Sequence, residues 1–381
     1  MVVTNEASHR ATDRDWLGEL DIRPVINASA TLTALGGSLM PEPVRAAMEA
    51  GSSHFVDLHE LKRKVAQRIA ELTHNEAAYV SCGAAGGITL AVAACMTGGD
   101  PNLIDSFPGP DRFEKNELIV HRSQRNGYDY AARITGAKMV EIHGTPESFE
   151  AAITQHTSAI LWFAGAHWAK DALPVEQVIT LGRKHNVVVI VDAAAQVPKV
   201  ENLWHFTRDL GADLAIFSGG KGLRGPQSTG LVLGRKDLIE AVAANGSPNY
   251  AIGRPLKVGK EELLGCLAAV EWSLAQDEEA VLADYERTVQ AWIDGVGDLP
   301  GVIAERGYPS EAGQPHGRAI LTIGDDARLA RDALHDALWD HHPRIAVSRL
   351  GDDQIALNPQ TLEPGEDRIV LDAIRSLLTD S

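Results

Sequence analysis

The chain has 381 residues, 44% of them apolar, with 35 basic against 52 acidic side chains and a formal charge of −17. That length accommodates two domains, and the negative balance repels a phosphate backbone, which excludes nucleic acid as a general partner. Cys82, Cys95 and Cys266 form no CxxC pair and read as reduced thiols of a cytoplasmic protein, while neither an apolar run of ~20 residues nor a leader-like start argues for membrane insertion or secretion.

From residue 77 onward short apolar runs alternate with amphipathic stretches. "AAYVS" (77–81), "ELIVH" (117–121), "KMVEI" (138–142), "SAILWFA" (158–164), "VVVIVDAA" (187–194), "LAIFSG" (214–219) and "TGLVLG" (229–234) are predicted strands. Several are apolar throughout, which implies burial on both faces of a mainly parallel sheet covered by helices, an α/β architecture. Helices are predicted over 84–96, 146–155 and 174–185, the last with proline in its first turn. The irregular stretch "NGSPNYAIGRPLKVGK" interrupts the pattern before the helix "EELLGCLAAVEWSL", so the large domain is expected over 51–255 and a linking helix with a small α+β domain over 256–381. That small domain would hold strands in "RAILTIG", "RIAVSRL" and "QIALNP", and residues 1–50 are expected to pack with it.

The residues with chemical capacity stand at strand ends, where open parallel sheets place their ligands. In "YVSCGAAGGITLAVAA" a predicted strand runs into a helix through Gly83, Ala84 and Ala85, whose amides would face an anion with the helix dipole behind them. Small residues for helix packing explain the same stretch equally well. Asp192 closes the most apolar strand, where a lone buried carboxylate needs a cation or hydrogen bonds; a helix cap is the simpler account. Lys221 lies in "FSGGKGLRGPQSTG" three residues after Ser218, among glycines expected to let the loop approach a ligand closely. A desolvated lysine is a neutral amine able to condense with an aldehyde, and a solvated loop lysine is the alternative. A strand-end acid with such a lysine is the arrangement that pyridoxal phosphate requires.

These segments, in this order, resemble the fold-type I pyridoxal-phosphate enzymes of the selenocysteine synthase-like branch, which includes D-glucosaminate-6-phosphate ammonia-lyase; the similarity runs from "RPVINASATLTALGG" (23–37) to "LNPQTLEPGE" (357–366). The resemblance implies a seven-stranded, mostly parallel sheet, a homodimer or larger assembly, Lys221 as the cofactor-bearing lysine, Asp192 as partner of the ring nitrogen, and Ser218 with residues 83–85 as the phosphate cup. It also implies a residue stacked on the ring, for which His121 and Gln124 both stand as candidates, His121 being catalytic in that case. Only about twenty residues precede "RPVINA", fewer than the transfer-RNA domain of selenocysteine synthases needs, and Gly220 and Ala195 occupy positions where cysteine desulfurases carry histidine and glutamine. Arg254 and, less centrally, Arg318 are candidates to grip a substrate carboxylate or phosphate. No metal-binding spacing occurs.

The expected activity is that of a lyase acting on a hydroxylated or sugar-derived amino acid, by α-proton removal and β-elimination of the ammonia-lyase type. A racemase or epimerase is the alternative; it would need a second acid–base group, for which His121 and Tyr128 are the candidates. Aminotransferase and selenocysteine synthase-type transfer rank below both.

Overall fold

A computed structural model describes residues 15–379. Its main sheet consists of β1 (Ala77–Cys82), β2 (Glu117–His121), β3 (Lys138–Ile142), β4 (Thr157–Phe163), β5 (Val188–Asp192), β6 (Leu214–Ser218) and β7 (Thr229–Gly234). The order across the sheet is β1-β7-β6-β5-β4-β2-β3. Pairing is parallel from β3 through β6, and β7 runs antiparallel to both β6 and β1. Both faces are buried: Val80, Ile119, Ile160, Val189 and Leu231 point into one apolar cluster, Tyr79, Leu118, Leu161, Ile190 and Val232 into another. That is why these strands read as unbroken apolar runs rather than alternating ones.

Thr31–Glu286 together with Gly307–Gly317 form one compact unit; the other takes, of the described residues, 15–30, Arg287–Arg306 and 318–379. These limits differ from the expected ones at three places, one of them Gly307–Gly317, which falls in the first unit. Helix Lys260–Leu274 packs on helices Glu42–Ser52 and Leu58–Leu72 and buries Leu263, Cys266 and Val270 in the same cluster as Val65 and Ile69, so residues 31–50 and this helix belong with the large sheet. Helix Leu58–Leu72 starts sharply because Asp57 accepts hydrogen bonds from the amides of His59 and Glu60.

In the second unit, Ser348–Leu350, Gln354–Leu357, Arg318–Ile323 and Val302–Gly307 form a four-stranded sheet in that order. Val25–Asn27 pairs in parallel with Arg344–Ala346. "RIAVSRL" is therefore two short strands in two sheets. The strand Val302–Gly307 escapes pattern reading because only Val302 of its six residues is buried. Trp292, Leu334, Leu338, Ile355 and Ile374 fill this unit's core.

Candidate active site

The carboxyl ends of β1, β2, β4, β5 and β6 lie on one edge of the main sheet, where β7 begins. In register, Ser218 pairs with Gly230, and Gly230 with Ser81. A side chain at Gly230 would overlap the backbone of Gly83 and Ala84, so β7 holds the start of helix Gly83–Thr97 beside Ser218. This helix is buried on nearly every side, has no side-chain cap, and begins at Gly83 with φ +66°. Uncapped first-turn amides form an anion site. The Gly83 amide is not among those free for a ligand, because it donates to Ser228 O at 2.7 Å; Ala84 and Ala85 remain in the open first turn.

Asp192 is the last residue of β5 and pairs with Ile216 of β6. It is buried, and its Oδ1 accepts the Ala194 N–H at 3.0 Å. Burial pushes its carboxyl above the usual range, opposed by that N–H and by Lys221. Burial likewise lowers the Lys221 amine, opposed by Asp192 and Glu311. The two residues that pattern reading singled out thus lie within each other's field, and desolvation is the larger influence on each.

The Lys221 loop is fixed by the chain segment before the first long helix. Ser38 donates from its N–H to Gly220 O at 3.0 Å and from Oγ to Lys221 O at 2.7 Å, Arg224 Nε donates to Leu39 O at 2.8 Å, and Gln227 Nε2 to Thr33 O at 2.8 Å. The loop's glycines serve a different end from the expected approach to a ligand. None of Gly219, Gly220, Gly222, Gly225 and Gly230 has a positive φ; the left-handed residue here is Arg224, at φ +54°. Instead a Cβ at Gly220 would overlap Gln227, and one at Gly222 would overlap the Val197 carbonyl. The glycines let the loop fold against itself and against the segment after β5.

His121 and Gln124 both lie in the core. His121 is fully buried, with Nε2 accepting the Leu173 N–H at 3.2 Å, and burial lowers its pKa to about 4, which the neighbouring Gln124 opposes only in part. It is a neutral core imidazole at neutral pH, without the exposure a catalytic acid needs. Gln124 is also fully buried: its Nε2 donates to Phe163 O at 3.0 Å and its Oε1 accepts the Phe163 N–H at 3.1 Å, clamping the segment after β2 to the end of β4. Neither presents an open face to a ring. Tyr128 is 66% exposed. Arg254 is exposed, with its guanidinium 6.0 Å from the centroid of the Tyr250 ring. Arg318 opens a strand of the other unit.

Glu311 is the residue that sequence reasoning missed. It lies in "GYPSEAGQPHG" (307–317), a stretch between two strands of the second unit that packs with the first. Nothing in its local pattern sets it apart from a surface loop carboxylate.

The residues present fit pyridoxal phosphate. The uncapped turn at Ala84–Ala85 and the Ser218 hydroxyl suit its phosphate, Asp192 has an oxygen beyond the one bonded to Ala194 for a protonated ring nitrogen, and Lys221 supplies an amine whose burial favours the neutral form. Sheet order and site together define a fold-type I pyridoxal-phosphate enzyme. The aminotransferase class-V family model matches residues 121–250. The chain is 32% identical over 376 residues to 5'-C-glycyluridine monooxygenase-decarboxylase of Streptomyces sp, covering 95% of this chain and 91% of that one. It is 28% identical over 375 residues to D-glucosaminate-6-phosphate ammonia lyase of Salmonella typhimurium (strain 14028s / SGSC 2262), covering 94% and 96%. A solved structure of D-glucosaminate-6-phosphate ammonia-lyase superposes with a TM-score of 0.83 at 26% identity, over 96% of this chain and 98% of the other. The chain belongs to the family of these two enzymes, within the fold-type I pyridoxal-phosphate enzymes.

Proposed function

We propose that this enzyme is a pyridoxal-phosphate-dependent lyase that removes the α-proton of a hydroxylated or sugar-derived amino acid and eliminates its β-substituent. The observation that carries this reading is the likeness to an ammonia lyase over nearly the full length of both chains, in sequence and in structure. Lys221 would hold the cofactor's aldehyde carbon, Asp192 its ring nitrogen, and Ser218 with the Ala84 and Ala85 amides its phosphate. When bound, pyridoxal phosphate supplies an electron sink for the pair left on the α-carbon. Lys221, its amine lowered by burial, takes the α-proton at Nζ. Asp192 keeps a proton on the ring nitrogen, so that the sink stays open.

A second reading, oxidative decarboxylation, is favoured by the 32% identity to a monooxygenase-decarboxylase. The racemase alternative loses its two candidate groups, since His121 is in the core and Tyr128 is on the surface. The substrate is a small molecule, and Arg254 serves a substrate acid group or the cofactor phosphate in a second copy of the chain, consistent with the neighbouring exposure of Tyr250 (93%) and with Phe55 (104%) standing open in the same unit. A homodimer covers these side chains. Among the described residues no helix is long and apolar enough to cross a membrane; the cytoplasmic reading rests on the three free thiols.

The test incubates the cofactor-loaded enzyme with D- and L-amino acids while following ammonia, keto acid, α-deuterium exchange, dioxygen uptake and carbon dioxide. Ammonia with keto acid in equal amounts, without dioxygen uptake, is the expected result. Dioxygen consumed with carbon dioxide released selects the second reading. Borohydride reduction is expected to fix the cofactor on Lys221, and attachment to another lysine would overturn the assignment.

A further inference from the structure

The segment Gly307–Gly317 is held firmly across the carboxyl edge of the main sheet. Gln196, four residues beyond Asp192, donates from Nε2 to Ala312 O at 2.7 Å. Gly165, just past the end of β4, has φ +126°, and a Cβ there would come within 2.9 Å of the same carbonyl; one on Gly313 would come within 2.8 Å of the Ala166 amide nitrogen. Inside the segment, Ser310 N–H donates to Gln314 O at 3.1 Å and Ala312 N–H to Gln314 Oε1 at 3.2 Å. Ser310, Gln314 and His316 are buried, His316 lies 5.0 Å from the Tyr285 ring, and Gly317 N–H donates to Glu286 at 2.7 Å. A segment with this many fixed points positions its remaining side chains. Glu311, half-buried, sits next to Ala312, which Gln196 holds, and the residue after Gln196, Val197, lies against Gly222, the neighbour of Lys221; the Glu311 carboxylate there holds the lysine's pKa up against desolvation.

An elimination needs two proton events at one site: removal from the α-carbon, and delivery to the departing oxygen. Lys221 accounts for the first. His121, with Nε2 bonded to Leu173 in the core, and Tyr128, out on the surface, do not account for the second. We propose that Glu311 is the proton relay of this site, accepting from Lys221 the proton taken from the α-carbon and delivering it to the departing β-oxygen. This rests on the lyase reading. The balance is complete without an oxidant or reductant. The α-C–H bond breaks and its proton goes to Lys221 Nζ; the proton passes to the Glu311 carboxylate; the β-C–O bond breaks with its electron pair on oxygen, which takes the proton and leaves as water. Lys221 and Glu311 end as amine and carboxylate, ready for the next turnover.

Glu311→Gln keeps the shape and removes both the charge and the relay. In cofactor-free protein, acetylation of Lys221 by acetic anhydride, followed by peptide mass spectrometry across pH, reads the lysine's titration. The midpoint is expected at lower pH in Glu311→Gln than in wild type, and an unchanged or higher midpoint overturns the pairing whichever reaction the enzyme performs. In the holoenzyme, a β-hydroxy amino acid is compared with its β-chloro analogue, whose leaving group needs no proton. The variant is expected to lose ~10²–10⁴-fold on the hydroxyl compound, the usual contribution of a positioned acid, while chloride release and α-deuterium exchange stay near wild type. Equal losses on both compounds overturn the relay. If wild type eliminates neither group, the lyase reading fails and the relay with it, while a lowered lysine midpoint still supports the Glu311–Lys221 pairing.

Discussion

Replacing Gly230 by alanine puts a methyl group where β7 passes the start of helix Gly83–Thr97. Its Cβ would stand 2.5 Å from Gly83 O and 2.6 Å from Ala84 N, both backbone atoms, and closer still to Gly83 C. Ordinary contact begins near 3.4 Å, so the overlap approaches an ångström, and no side-chain rotation can relieve it. Overpacking of this kind costs ~1–3 kcal/mol, and the absence of a flexible neighbour places Gly230→Ala toward ~3 kcal/mol. β7 is paired on both sides, by β1 and β6, so the helix start yields first, and with it the Ala84 and Ala85 amides. If about half of the strain has to be restored when the amides close on the cofactor phosphate, binding weakens by ~1.4 kcal/mol, or about tenfold in Kd. Urea unfolding of the cofactor-free protein and absorbance titration with pyridoxal phosphate measure the two effects separately. Gly86→Ala is the control: its Cβ would meet only the Cys82 Cβ at 3.3 Å and the Leu256 Cδ1 at 3.8 Å, and alanine inside a helix gains up to ~1 kcal/mol. A Gly230→Ala protein with wild-type stability and wild-type cofactor affinity would show that the close approach of β7 does not hold the helix start.

Asp192→Asn is expected to retain the cofactor while slowing α-deuterium exchange ~10²–10³-fold, the effect of losing one preorganised charged group at a reacting centre; near-normal exchange would leave Asp192 only its hydrogen bond to the Ala194 amide in the turn after β5. His121 carries a pH dependence of known sign. Its folded pKa, about 4, lies below the ordinary 6.5, so between those values the unfolded chain binds the extra proton; the stabilisation is complete above pH 6.5 and lost as pH falls toward 4. At ~1.36 kcal/mol per unit the loss amounts to roughly 3 kcal/mol, and urea midpoints measured from pH 7 to 4.5 should show it in wild type but not in His121→Gln, which keeps an acceptor for the Leu173 amide. Arg254→Ala is expected to raise KM with cofactor affinity unchanged; cofactor loss on dialysis would move Arg254 to the phosphate, and wild-type behaviour in both assays would leave it a surface residue.

All seven strands of the main sheet were legible from the sequence, and so was helix Gly83–Thr97, because the inner strands of a sheet buried on both faces demand apolar runs and a helix lying on it demands small residues. The strand-end positions of Asp192, Ser218 and Lys221 followed, since a polar residue closing such a run has few other places to stand. What a side chain meets there is set by residues distant in the chain. Gln124 is drawn into the core because both ends of its amide find the backbone of Phe163, and His121 because Leu173 offers it an N–H; neither partner is close enough in sequence to leave a periodic trace. The loop glycines showed in the sequence as a need for small residues, but whether the close neighbour is a ligand or Val197 and Gln227 is a question of packing. Glu311 makes the point most sharply. It follows Lys221 by ninety residues, in a stretch with no helical or strand period, and contacts such as the bond from Gln196 to Ala312 and the tight fit at Gly165 and Gly313 place it at the sheet edge that holds the lysine. Local pattern records which face of an element is buried; contacts between elements that no period links are decided by the tertiary fold.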